Sequence, residues 1–211
     1  MTRILYLYVL DTMADWEPAY LLPELVSGRF LASPDLRYQV RLCGLTRDPI
    51  TTMGGLPLVP DITIDEIEAA SDRLLILPGA MTWLEPVHEA VLSKVRKMLD
   101  IGMVVGAICG ATMALANAGM LDNRPHTSND LGALKQFCPG YSGEKFYESK
   151  PAVIDGNLIT ASGFAAVDFA YEVLKKLGVM KEETLEAWYQ LQLTKKPEYF
   201  YRLMESLGDR S

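Results

Sequence analysis

Among the groups in this chain that could act as a nucleophile, Cys109 has the most informative neighbours. Before it runs a short apolar stretch, Met103-Val104-Val105-Gly106-Ala107-Ile108. After it, beyond Gly110, comes Ala111-Thr112-Met113-Ala114-Leu115-Ala116-Asn117-Ala118, a good helix former that stops at Gly119. The pattern reads as a strand, an abrupt turn and a helix, with the cysteine at the turn. Small neighbours let the backbone turn sharply, as in the nucleophile elbow of serine hydrolases. The unpaired amides and partial positive charge of a helix N-terminus favour a thiolate, so Cys109 is expected to ionise below the ordinary cysteine value. The competing reading is a buried, inert cysteine packed like a small hydrophobe.

Other residues could complete such a site. Glu17 follows the first apolar run, where a carboxylic acid can donate a hydrogen bond to sulfur. It also fits the first turn of a helix, where acids are favoured in any case. Pro78-Gly79-Ala80 follows another apolar run and can offer the amides of Gly79 and Ala80 to an oxyanion, with Gly110 as their partner. His126, in the polar stretch Arg124-Pro125-His126-Thr127-Ser128-Asn129-Asp130, is the candidate proton carrier or else a plain loop histidine. His88 falls off the expected apolar stripe of its helix and reads as a solvated surface residue. Cys43 and Cys138 read as structural. Neither histidine has metal-ligand company, and phosphate-loop and dinucleotide fingerprints are missing, so no metal or cofactor is expected.

The elements that must position these residues follow from periodicity. Ile4–Leu10 and Leu74–Leu77 are continuous apolar runs, as in strands buried on both faces. Tyr38–Cys43 reads as a further strand, and Ile50–Pro60 as a hairpin turning at Gly54-Gly55. A helix is expected from about Trp16, capped by Asp15, with Pro18 in its first turn and a kink at Pro23. Asp65–Ala70 reads as a short helix. Pro86 opens another to about Ile101, with Val87, Ala90, Val91, Val95 and Met98 turned inward. Ser128 or Asn129 is expected to cap a helix running through Phe137. Val153-Ile154 and Leu158-Ile159-Thr160 read as a hairpin, and Ala165–Leu177 as an amphipathic helix ended by Gly178. Residues 181–211 carry two helical patterns broken near Lys196-Pro197. Alternating strands and helices imply an α/β fold with a mostly parallel sheet, helices on both faces, and ligand sites beyond the strands' carboxyl ends. The division expected is a domain at 1–178 and a helical extension at 179–211, packed on that domain or on a dimer partner.

The formal charge of −7, without clustered Lys and Arg, argues against nucleic-acid binding. The opening apolar run ends at Asp11 with no small-residue cleavage pattern, unlike a signal peptide, and nothing approaches transmembrane length. Three cysteines, an odd number without metal-ligand spacing, suit a reducing cytoplasm.

Taken together, Glu17, Leu77-Pro78-Gly79, Ala107-Ile108-Cys109-Gly110-Ala111 and Ile159-Thr160-Ala161-Ser162-Gly163 followed by a helix resemble the ThiJ/PfpI superfamily. That group belongs with the class I glutamine amidotransferase-like proteins, and the resemblance spans about Arg3 to Leu177. It implies a flavodoxin-like three-layer sandwich, usually dimeric, with Cys109 reactive and Glu17 its carboxylic partner. Two departures stand out. Gly110 follows Cys109 where many relatives carry histidine, and Asn129 occupies the slot that closes a Gly-Arg-x-x-Thr-x-His stretch in others. The Pro-His-Thr-Ser-Asn-Asp form is similar to a bacterial subgroup labelled amidotransferase-like or protease-like.

The expectation is a small cysteine-dependent enzyme acting on a carbonyl or amide of a small-molecule substrate, without nucleic-acid or membrane partners. A cysteine-based redox or stress sensor is the alternative, and an oligomer-dependent peptidase a third. A homodimer is expected from the resemblance and from the aromatic tail, Trp188, Tyr189, Tyr199, Phe200 and Tyr201. Free glutamine is not expected as a substrate, because the late His-x-Glu pair of authentic amidotransferases is replaced by Ser162-Gly163-Phe164-Ala165.

Overall fold

The computed structural model describes residues 2–208. Its strands are β1 (Thr2–Tyr8), β2 (Arg37–Gly44), β3 (Ile50–Thr51), β4 (Pro57–Leu58), β5 (Ile62–Thr63), β6 (Leu74–Leu77), β7 (Val104–Ile108), β8 (Ala152–Asp155) and β9 (Leu158–Ala161). Its helices are α1 (Leu22–Ser27), α2 (Glu89–Asp100), α3 (Gly110–Asn117), α4 (Leu131–Phe137), α5 (Ala166–Leu177), α6 (Glu182–Thr194) and α7 (Pro197–Leu207). Seven strands form one sheet in the order β5-β2-β1-β6-β7-β9-β8, while β3 and β4 pair as a separate hairpin. Every pairing in the large sheet is parallel except that of β8 with β9. Helices cover both faces, which makes this a flavodoxin-like α/β fold.

The central strands β6 and β7 are buried along their whole length, as their unbroken apolar sequences require. Strand order reverses between β1 and β6, which opens a crevice at their carboxyl ends. Gly106 lies in the middle of β7, and a Cβ there would come within 2.7 Å of the Phe169 ring. The missing side chain is what lets α5 press Phe169 onto the sheet.

Several local expectations are corrected. Asp15 does not cap a helix at Trp16; its carboxylate accepts the Gly54 amide at 2.7 Å. Residues 14–21 run instead through successive turns, and Pro23 lies in the first turn of α1 rather than kinking a longer helix. The cap of α4 is Asp130, accepting from the Ala133 amide at 2.8 Å, so neither Ser128 nor Asn129 serves there. Only Ile64–Glu66 forms a turn of 3-10 helix in the region expected to be helical from Asp65 to Ala70. Finally, the inward stripe of the Pro86 segment is His88, Val91, Val95 and Met98, with Val87 and Ala90 outside. His88 is therefore buried, between the Tyr8 hydroxyl and the Thr82 hydroxyl at 3.3 Å each.

Of the C-terminal helices, α6 packs against α5 and α7 against α6. Trp188 is buried and donates to the Glu24 carboxylate at 3.1 Å, which also takes two bonds from Arg29. Tyr189 stacks on Tyr171 with ring centroids 4.1 Å apart and donates to Asp168 at 2.6 Å. Phe200 and Tyr201 on α7 remain exposed. Among the described residues no helix is long and apolar enough to cross a membrane.

Candidate active site

Cys109 sits between β7 and α3 with φ 58° and ψ −124°. A positive φ on a residue with a Cβ is costly and persists only where surrounding bonds over-determine it. Here the Cys109 amide donates to the Ala161 carbonyl at 3.0 Å. Its carbonyl receives the Thr112 amide at 3.0 Å and the Thr112 hydroxyl at 2.6 Å. The elbow is thus clamped on one side by the end of β9 and on the other by the first turn of α3.

Loops from β1, β6 and β9 converge on the sulfur. Glu17 is 0% exposed and lies in the turns before α1, not in the first turn of a helix. The Gly79 amide donates to Glu17 Oε2 at 2.5 Å, and Oε1 is buried without a hydrogen-bond partner. A Cβ built on Gly79 would lie 2.8 Å from Glu17 Oε1 and 2.9 Å from Cys109 Sγ; one on Gly163 would lie 3.1 and 2.7 Å from the same atoms. Glycine at both positions therefore leaves room for the carboxyl and the sulfur to meet. The Gly163 carbonyl accepts the Trp16 indole N–H at 3.4 Å, tying the loop after β9 to the one that carries Glu17.

Burial raises Glu17 from 4.5 to about 7, against the opposing pull of the Gly79 amide and of the neighbouring Cys109 thiol. Burial likewise pushes the Cys109 thiol up, opposed by the Asn129 amide and reinforced by the neighbouring Glu17 charge. The expectation of a thiol below its ordinary value is thereby corrected. Desolvation outweighs the helix N-terminus here, although the Gly110 amide does pull the thiol down. The buried Glu17 carboxyl and the partly exposed Cys109 thiol are neighbouring acids, and such a pair resists ionising together.

The remaining expected residues separate. Ala80 and Gly110 lie together: a Cβ on Gly110 would be 3.3 Å from the Ala80 amide nitrogen. The Gly79 amide is committed to Glu17, so it is not free for an oxyanion. His126 is fully buried, with Nδ1 on the Arg124 carbonyl and Nε2 on the Tyr141 hydroxyl, both at 2.8 Å. Both ring nitrogens are engaged away from Cys109, so the expected proton carrier is corrected to a residue that packs its own loop between Tyr141 and Tyr147.

Asn129 was missed as a site residue. Its Nδ2 donates to Cys109 Sγ at 3.3 Å, while its Oδ1 accepts the Gly163 amide at 2.8 Å. The available signal was the adjacent pair Asn129-Asp130: once Asp130 takes the helix cap, Asn129 is free to turn towards the elbow. Among the described residues no group of three or more His, Cys, Asp or Glu side chains could hold a metal ion.

A family model described as "DJ-1/PfpI family" matches residues 2–176. The chain belongs to the DJ-1/PfpI family. Within it, the chain is 51% identical over 207 residues to a Bacillus subtilis protein named "Uncharacterized protease YoaZ", covering 98% of this chain and 99% of that one. A second B. subtilis protein, "Uncharacterized protease YdeA", is 30% identical over 187 residues and 88% of each chain. The crystal structure of a ThiJ/PfpI family protein from Bacillus anthracis superposes with a TM-score of 0.94 at 52% identity, covering 98% of this chain and 97% of that one. DJ-1/PfpI relatives of the chain thus carry the name protease, and more distant ones are named glyoxalase and deglycase. These names support cysteine-type or DJ-1-like activity in general rather than one reaction.

Proposed function

We propose that the protein is a cytoplasmic cysteine-dependent enzyme in which Cys109 attacks a carbonyl or amide carbon of a small molecule. The observation that carries this reading is the strained elbow that brings the Cys109 sulfur against the buried Glu17 carboxyl. In the addition step a bond forms from Sγ to carbon, and the carbonyl π pair moves to oxygen. The Ala80 and Gly110 amides hold that oxygen, since the first amide of a helix lacks an intrahelical acceptor. The proton shared by Cys109 and Glu17 then passes to the oxygen and closes the charge balance.

The test is to incubate wild type and Cys109→Ser with a panel of aldehydes, amides and peptides and follow substrate loss. At least one class should be consumed by wild type alone. Equal, background consumption by both proteins across the panel would end the enzymatic reading.

One observation favours a second reading. The residue bonded to sulfur from the loop after α3 is an amide, which moves no protons at neutral pH. A redox sensor needs only a sulfur that oxidises reversibly, and peroxide titration with the Cys109 peptide followed by mass distinguishes it from turnover. Peptidase activity rests on the names of the Bacillus relatives alone. The reading includes a homodimer, for which the exposed Trp16, Met81 and Phe164 offer apolar surface. Light scattering at micromolar concentration should give twice the 23.4 kDa chain mass; the single-chain mass contradicts it.

A further inference from the structure

The segment Thr127-Ser128-Asn129 is held more firmly than a surface loop needs. The Thr127 amide donates to the Thr160 hydroxyl at 2.9 Å, and the Thr127 hydroxyl donates to the Lys150 carbonyl at 2.8 Å. The Ser128 and Thr112 hydroxyls are 2.7 Å apart. Because the Thr112 hydroxyl donates to the Cys109 carbonyl, Ser128 must donate to Thr112, and this locks the loop to the elbow itself. Thr127 and Ser128 are buried, and Asn129 is delivered from a fixed backbone.

The hydrogen-bond network fixes which end of the Asn129 amide faces sulfur. The Gly163 amide at 2.8 Å can only donate, so it must meet Oδ1, to which the Ser162 hydroxyl also donates at 3.4 Å. Nδ2, a pure donor, is left for Cys109 Sγ at 3.3 Å. A thiolate gains more from such a donor than a thiol does. The same residue holds Gly163, whose missing Cβ gives the sulfur its space.

We propose that Asn129 is a catalytic residue of this site, one that stabilises the Cys109 thiolate and aims it through its amide while taking no proton. The proposal rests on Cys109 being the reactive group but needs no substrate. Glu17 and Asn129 then hold the sulfur with different chemistry, the first as the proton's partner and the second as a fixed dipole. Asn129 is thus an electrostatic device in a site whose one proton carrier at sulfur is Glu17.

The discriminating variant is Asn129→Asp, which keeps an oxygen for Gly163 and Ser162 but replaces the donor at sulfur with an acceptor. Asn129→Ala removes both ends. For each folded variant, the rate of Cys109 alkylation by iodoacetamide is measured against pH by peptide mapping. Asn129→Asp should move the rise in rate upward by about one pH unit or more, slowing alkylation roughly tenfold at neutral pH, and Asn129→Ala should shift it the same way by less. A wild-type profile in both variants overturns the proposal. So does a shift in Asn129→Ala alone, which would assign Asn129 to holding Gly163 only. A protein that turns over no substrate can still pass this test, so its failure is separable from failure of the enzymatic reading.

Discussion

Beside Cys109 lies a carboxyl that burial has made reluctant to ionise. Glu17 titrates at about 7 in the folded chain against 4.5 for the free group. The folded state therefore binds more protons than the unfolded state between those values, and stability falls as pH rises through that window. The shift corresponds to about 3 kcal/mol, fully present as a penalty above pH 7 and absent below about 4.5. Glu17→Gln keeps an oxygen for the Gly79 amide and carries no charge. Denaturant melts should show it as stable as wild type near pH 4 and more stable by about 2–3 kcal/mol at pH 8. A constant difference across this range would mean that Glu17 is not the buried, neutralised acid described here.

At the scale of elements, the turn from β7 into α3 stores strain to present the sulfur. Cys109 occupies a φ of 58°, where a Cβ is penalised and glycine is not. Cys109→Gly should therefore be more stable than Cys109→Ala by about 1 kcal/mol or more, although both lose the thiol. Equal melting of the two would remove the strain from the account. The elbow was legible in sequence because small residues crowd Cys109 on both sides. His88 was misplaced because Val87 and Ala90 drew the apolar stripe to the wrong side, whereas the spacing 88, 91, 95, 98 faces the core. Asn129 was misplaced because Ser, Asn and Asp all cap helices well, and local preference does not say which of three neighbours wins.

At the scale of the whole molecule, continuous apolar runs and their alternation with helices were enough to foresee a mostly parallel sheet with helices on both faces. The resemblance implied Glu17 as the partner of Cys109, but the contacts of Gly79, Asn129 and Gly163 with that pair were not foreseeable, because these residues meet only once the sheet order is fixed. The same fold separates the three thiols. Cys43 is fully buried, and burial, with the nearby acids Glu66 and Asp65, pushes it up to about 12. Cys138 is also buried and raised, its thiol donating to the Met113 carbonyl at 3.3 Å. Cys109 alone of the three is partly exposed, beside groups that can share its proton or stabilise its charge. Alkylation of the native protein at neutral pH, with each cysteine followed by peptide mapping, tests this assignment most directly. Cys109 should be modified well before the other two. Modification of Cys43 or Cys138 at a matching rate would contradict the claim that the fold singles out Cys109 as its reactive group.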